Sequence, residues 1–263
     1  MPTYTYASCA TRGQRSYQED AAAVWPGKAT FEWELDLPAP PNGSLIAVLA
    51  DGMGGHAGGA QASTTACRKF LEACASRDEP FPARLVGALA RANDGISKMV
   101  ADRPELEGMG TTLVGASFSE AGLEWVSVGD SPMYLYRREE LALLNEDHSL
   151  APALDQLAAE GKISADAARN DPRRHMLRSA VTGDELELVD ISREALVLGE
   201  GDVVILASDG IHAIDQDEIV RIVRAYGTDG PYAIAQALIR AVENQRDPHQ
   251  DNTTVVVVQP VGT

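Results

Sequence analysis

The stretch Leu45-Ile46-Ala47-Val48-Leu49-Ala50-Asp51-Gly52-Met53-Gly54-Gly55-His56 decides how the chain is read. An apolar run of strand length ends on a carboxylate, and a glycine-rich turn and an alanine-rich, helix-prone segment follow. A strand inside a sheet is rigid, so Asp51 at its end has a fixed place. The glycines lack a Cβ and let backbone come close to whatever that carboxylate holds. Two more apolar runs meet aspartate: Val203-Val204-Ile205-Leu206-Ala207-Ser208-Asp209-Gly210, and Asp251-Asn252 opening Thr253 to Val258. Carboxylates at strand ends far apart in sequence form an oxygen ligand set, which suits hard divalent cations such as Mg²⁺ and Mn²⁺.

Before this stretch, Tyr4 to Thr11 and Ala21 to Trp25 read as strands joined by the polar loop Thr11 to Asp20. Lys28 to Asp36 reads as a hairpin arm and Leu37 to Gly43 as a proline-rich loop. After it, Gly59 to Arg77 and Pro82 to Asp102 have the apolar spacing of two amphipathic helices, broken at Asp78-Glu79-Pro80. Short strands are predicted at Thr111–Phe118, Leu123–Val128, Met133–Arg137 and Leu141–Leu144, then at Leu186–Ile191, Val203–Ala207 and Thr253–Val258. Asp147 to Asp171 reads as a partly helical excursion, and Asp215–Tyr226 and Pro231–Gln245 as a second helix pair. Strands cluster instead of alternating with helices, which predicts an α+β fold of antiparallel sheets with a helix pair on each outer face. No linker divides the chain, so residues 1–263 read as one domain.

Of the 263 residues, 44% are hydrophobic and 23% charged, an ordinary soluble composition. The net charge of −17 argues against a nucleic-acid surface, which needs a basic stripe. Cys9, Cys67 and Cys74 have no zinc-like spacing and read as reduced thiols, which fits a cytoplasmic protein. The N-terminus lacks a signal pattern, and no apolar run approaches the ~20 residues that span a bilayer. A stand-alone soluble monomer is expected.

Glu19, Asp20, Asp51, Asp130, Asp209 and Asp251 stand at strand ends or starts. Aspartate before glycine is also a common turn residue. As a group they place charge against apolar strands, where an unpaired carboxylate is costly. A pair of divalent cations bridged by one carboxylate would neutralise them and hold a water whose lowered pKa yields hydroxide. Such a hydroxide attacks phosphorus in line. Arginine suits the phosphoryl group because its planar fork bonds two oxygens at once. Arg15, on the polar loop before Glu19 and Asp20, is the preferred candidate and Arg12 the rival.

Arg15-Ser16-Tyr17-Gln18-Glu19-Asp20, Ala50-Asp51-Gly52-Met53-Gly54-Gly55-His56, Gly110-Thr111-Thr112, Val128-Gly129-Asp130-Ser131, Ser208-Asp209-Gly210 and Asp251-Asn252-Thr253-Thr254 occur in this order. Together they resemble the bacterial form of the metal-dependent serine/threonine protein phosphatases of type 2C. The resemblance covers almost the whole chain. It implies a four-layer α-β-β-α sandwich with two Mn²⁺ or Mg²⁺ ions in a cleft at one end, and a third ion in some members. It implies that Asp51 bridges both metals, that Gly52 offers its carbonyl, and that Asp209 and Asp251 ligate. Glu19 and Asp20 would act through metal-bound waters, Arg15 would bind the phosphate, and Asp130 with Asp209 would hold the third metal. Asn252 would orient its neighbours. The implied reaction is hydrolysis of phosphoserine and phosphothreonine by direct attack, on phosphorylated proteins made by a serine/threonine kinase.

Some positions depart from the pattern. Met53 stands where animal relatives carry a histidine proposed as general acid, so metal-bound water or another group, such as His56, would protonate the leaving alkoxide. Pro132 replaces the usual arginine after Gly-Asp-Ser, Ala213 replaces a third-metal aspartate, and Gln18 replaces a frequent asparagine. The flap beside the cleft matches residues 147–171, and Arg173-Arg174-His175 reads either as a contact for an acidic or phosphorylated substrate or as a solvated basic turn. A dinucleotide site at Gly52-Met53-Gly54-Gly55-His56-Ala57 would set Asp51 against a pyrophosphate, and its required acid, Glu72, falls in a helix. A P-loop lacks its Lys-Ser or Lys-Thr. A phosphodiesterase-type hydrolase would want histidine ligands, and His56, His148, His175, His212 and His249 have no matching spacing. A non-catalytic, phosphoprotein-binding relative is the remaining alternative; it should lose metal carboxylates, and this chain keeps Asp51, Asp209 and Asp251.

Overall fold

The structure, a computed structural model, describes residues 3–32, 37–38, 40, 44–54, 57–75 and 80–261. The strands and helices expected from the apolar patterning form in order. They are β1 (Thr3–Thr11), β2 (Ala21–Trp25), β3 (Leu45–Ala50), a short β4 (Gly52–Met53), α1 (Ala57–Cys74) and α2 (Ala83–Asp102). A meander follows: β5 (Gly110–Thr111), β6 (Leu113–Ser119), β7 (Gly122–Val128), β8 (Met133–Arg137) and β9 (Glu140–Leu143). Then come α3 (Ala151–Ala159), α4 (Ala165–Arg169), β10 (Asp190–Ile191), β11 (Val203–Ala207), α5 (Gln216–Tyr226), α6 (Pro231–Asn244) and β12 (Thr253–Val261).

Two antiparallel sheets carry the fold, in the orders β1-β12-β11-β8-β9 and β10-β7-β6-β3-β2. Each central strand is apolar throughout because it buries both faces. In β3, Leu45, Ala47 and Leu49 face the other sheet, where Val204, Leu206, Val256 and Val258 meet them. Ile46, Val48 and Ala50 face α1 and α2, against Ala66, Phe70, Leu85 and Leu89. On the far side Val203, Ile205, Val255 and Val257 pack on Ile219, Ile222, Leu238 and Val242 of α5 and α6. The result is the expected α-β-β-α sandwich. Burial on two faces, not alternation, explains why these strands read as continuous Val/Ile/Leu runs.

The register sets the site. Ala21 lies opposite Ala50, Thr11 opposite Thr253, Ala207 opposite Val255 and Leu113 opposite Val128. The C-terminal ends of β1, β3, β7 and β11 therefore share one edge of the sandwich with the N-terminal ends of β2, β6 and β12. Every candidate acid sits just beyond one of these ends. Asp215 starts α5 as its N-cap, accepting from the Glu218 N–H at 2.7 Å.

The structure departs from the sequence reading in three places. The strand predicted at Leu186–Ile191 is reduced to Asp190–Ile191. At Leu188 a side chain replaces the neighbouring strand, since Ser179 Oγ accepts from Leu188 N–H (3.1 Å) and donates to its carbonyl (2.9 Å). The strand predicted from Thr111 is interrupted at Thr112, whose backbone turns to Asp51. Of the hairpin arm at Lys28–Asp36, the described part makes a single bridge, Ala29 to Ala23. Most of the rest of that arm, and the helix break at Asp78-Glu79, lie outside the described residues.

Gly115 in β6 faces Phe70 of α1, and a Cβ there would overlap that fully buried ring. Gly115→Val should therefore destabilise the protein by about 1–3 kcal/mol. Urea unfolding checks this, and adding Phe70→Leu should recover part of the loss. Fully additive penalties would show that the ring is not the obstacle.

Candidate active site

Asp51 is held through its backbone. Its N–H donates to Thr112 Oγ1 (3.0 Å), and its carbonyl accepts from Thr112 N–H (2.9 Å) and Thr111 Oγ1 (2.8 Å). Thr112 Oγ1 in turn meets Ser131 Oγ at 2.7 Å. The Gly110-Thr111-Thr112 and Asp130-Ser131 motifs thus clamp the end of β3. Gly52 passes against the carbonyls of Glu19 and Gly59, where a Cβ would clash, so only glycine can follow Asp51 here.

The loop carrying Arg15 and Glu19 is stitched to the start of β12. Asn252 Oδ1 accepts from Glu19 N–H (2.7 Å), while its Nδ2 donates to the carbonyls of Arg12 (3.0 Å) and Tyr17 (2.9 Å). Ser63 of α1 donates to the Glu19 carbonyl at 2.6 Å. Asp20 is buried at the junction of the sheets. Its Oδ2 accepts from Ser208 Oγ (2.7 Å), and Ser208 Oγ accepts from Thr254 N–H (2.9 Å). Among the described residues its Oδ1 has no hydrogen-bond partner.

Arg15, Glu19, Asp51, Gly52, Asp130, Asp209, Asp251 and Asn252 line one cleft of about 760 Å³. Asp20 stands behind it. Asp20, Asp51 and Asp130 come from one sheet, Asp209 and Asp251 from the other. Burial and mutual repulsion disfavour their charges. Burial pushes Asp51 well above the usual carboxylate range, with Asp20, Asp209, Asp130 and Asp251 adding to it. Burial pushes Asp20 up to about 6, with Ser208 and Thr254 pulling it back and Asp209 and Asp251 raising it further. Asp130 is pushed up to about 7 by burial, then by Asp209 and Asp147. Asp209 is raised by burial and by Asp251, against the pull of His212.

Arg15 Nη2 donates to Asp251 Oδ2 at 2.5 Å, and both side chains are about half exposed. Among the described residues Arg12 reaches only the Ser16 carbonyl (3.4 Å), and of the two candidate arginines it is Arg15 that lines the cleft. Among the described residues no three His, Cys, Asp or Glu side chains are already gathered as a chelating group. An all-oxygen set of acids that repel one another, with an orphaned buried oxygen on Asp20, fits hard divalent cations.

The opposite wall comes from residues the sequence did not single out: Met176, Leu177, Arg178, Ser179, Thr182 and Glu187. None of residues 147–171, the expected flap, lines the cleft. Arg173 and Arg174 are engaged elsewhere, with Asp171 (3.0 and 2.9 Å) and Asp155 (both 2.8 Å), while His175 does face the cleft. Pro132 and His212 border a smaller hollow beside Asp130, and His56 lies outside the described residues.

Comparison with known proteins places the chain in a family. The family model described as protein phosphatase 2C matches residues 35–231. The serine/threonine protein phosphatase PstP of Mycobacterium tuberculosis is 36% identical over 83% of this chain; the match spans 41% of PstP, so this chain corresponds to about two fifths of that relative. The serine/threonine phosphatase stp of Listeria monocytogenes is 31% identical over 81% of this chain and 84% of its own length. A crystal structure of the PstP catalytic domain in complex with two manganese ions superposes with a TM-score of 0.75 at 30% identity, covering 100% of both chains. With the family model matched over residues 35–231, most of this chain, the chain belongs to the protein phosphatase 2C family.

Proposed function

We propose that this chain is a metal-dependent protein serine/threonine phosphatase that hydrolyses phosphoserine and phosphothreonine with two Mn²⁺ or Mg²⁺ ions. The observation that carries this is the convergence of buried, mutually repelling carboxylates from both sheets on one cleft, beside an arginine. Asp51, the Gly52 carbonyl, Asp209 and Asp251 would hold the two ions. Glu19 and Asp20 would act through water, and Asp130 with Asp209 would serve a third ion. When bound, such ions lower the pKa of a water to yield a nucleophile near neutral pH and polarise the phosphoryl group.

The chain's own groups supply the rest. Thr111 and Thr112 hold Asp51 in one place, so the acid does not reorganise during reaction. Asn252 keeps the Arg15–Glu19 loop at the cleft. Arg15 binds the phosphate. Its exposed pair with Asp251 is of the kind that contributes little to stability, so exchanging it for a phosphate is cheap. Retention of Asp51, Asp209 and Asp251 favours catalysis over the non-catalytic, phosphoprotein-binding alternative.

Acids from both sheets serving one cleft support a single domain. Substrate choice rests with the Met176–Glu187 wall, with residues 147–171 as its support through Arg174 and Asp155. Phosphorylated proteins made by a serine/threonine kinase are the substrates. A cytoplasmic monomer that binds no nucleic acid fits three free cysteines and the net charge of −17. Among the described residues no helix is long and apolar enough to cross a membrane.

Hydrolysis of a phosphothreonine peptide should vanish in EDTA and return with Mn²⁺; activity indifferent to both would contradict the reading. Asp51→Asn should lower kcat by about a thousandfold or more with the fold kept, because the shared ligand of the site loses its charge. Near-normal turnover there would remove Asp51 from the site. Arg15→Ala should raise KM about tenfold with a smaller change in kcat, measured by steady-state kinetics.

Metal-free stability should also depend on pH. Asp20 and Asp130 have folded pKa values raised from 3.8 to about 6 and about 7. The folded state then binds more protons than the unfolded one, so their contribution is complete below about pH 4 and lost as pH rises to about 7. Tm in EDTA should fall by several degrees across that window, and Mn²⁺ at pH 7 should restore it. A Tm that rises from pH 4 to 7 in EDTA would refute this electrostatic account.

A further inference from the structure

His148 is buried, and its hydrogen bonds run in two directions. Its Nδ1 accepts from the Gly129 N–H (3.2 Å), and its backbone N–H donates to the Gly129 carbonyl (3.1 Å). Its carbonyl accepts from the Arg178 N–H (2.8 Å). The chain continues along the same wall: Ser149 bridges Leu177, and Leu150 N–H donates to the Met176 carbonyl at 3.0 Å. One imidazole and a short piece of backbone thus join the turn before Asp130 to the wall formed by Met176, Leu177 and Arg178. Asp130, which follows that turn, and the wall both line the cleft, and His148 itself does not.

The imidazole suits this role chemically. An acceptor at Nδ1 requires a neutral ring with its proton on Nε2. Burial lowers His148 below the usual imidazole range, against the opposing pull of Asp190, Glu146 and Asp147, which keeps the ring neutral. The turn it holds has no simple substitute. Gly129 has φ +102°, and a Cβ on it would clash with Thr112, the residue that clamps Asp51.

We propose that His148 is a positioning residue that ties the Gly129–Asp130 turn to the Met176–Arg178 wall, so that the acids and the substrate-facing wall keep one geometry. It acts through the Gly129 and Arg178 amides. The inference deepens the phosphatase reading and rests on it for its kinetic arm only.

Two variants test it. His148→Asn places an amide oxygen near the Nδ1 position and keeps the acceptor; His148→Leu keeps bulk and removes it. Amide hydrogen exchange in the metal-free protein reads the tie without any activity. His148→Leu should accelerate exchange about tenfold or more in both residues 128–131 and residues 176–179, and His148→Asn should leave both within about twofold of wild type. In the Mn²⁺ form, KM for a phosphothreonine peptide should rise about fivefold in the leucine variant and stay near wild type in the asparagine variant. Unchanged exchange in either segment of the leucine variant, or an asparagine variant as impaired as leucine, would overturn the inference. If the leucine variant does not fold, the asparagine variant decides: fast exchange there overturns the tie, and wild-type exchange with wild-type KM upholds it. A wild-type protein without phosphatase activity would refute the functional reading, while the exchange results would still decide the role of His148.

Discussion

Repulsion among carboxylates held at the edge of an apolar sandwich is the constraint on which this structure depends. Asp20, Asp51, Asp130 and Asp209 all sit above their usual pKa because burial strips them of water and each lies in the field of others. A protein of net charge −17 has few cations to spare for them, and among the described residues Arg15 pairs with Asp251 alone. Such an arrangement is unfavourable for folding by itself. Small, highly charged cations shared among the acids, as proposed, would offset it, and folding and cation binding would then be linked.

The sandwich makes that repulsion tolerable by fixing each acid through groups that are not acids. Thr112 and Ser131 lock the end of β3, Asn252 locks the loop before β2, and Ser208 joins Asp20 to the start of β12. These hydroxyl and amide groups cross between strands and, at Asp20 and Asn252, between sheets. Antiparallel register puts strand ends side by side, so one edge collects acids from opposite halves of the chain. The rigidity that buries the charges also keeps them from drifting apart.

Much of this was legible in the residues. Strands buried on both faces read as continuous apolar runs, and the aspartates that end or open them marked the edge. The helix pairs were visible from their spacing. Partnerships between distant residues were not. Nothing in the pattern at Leu186–Val189 reveals that Ser179 satisfies Leu188 in place of a strand. The residue pattern leaves Arg173 and Arg174 open between a substrate and a solvated turn, and only the fold shows that they pair with Asp171 and Asp155. The resemblance places the excursion at 147–171 beside the cleft, whereas the chain after it forms the wall. His148 carried no spacing signal, because its role depends on a turn and a wall that meet only in three dimensions.

The most direct test of the central claim is calorimetric titration of the metal-free protein with Mn²⁺ at pH 6, repeated in buffers of different ionisation enthalpy. Acids with raised pKa values hold protons at that pH, and cations that bind among them must displace those protons. The account predicts net proton release on binding, reduced in Asp51→Asn. Mn²⁺ binding without proton release, or release unchanged in Asp51→Asn, would contradict it.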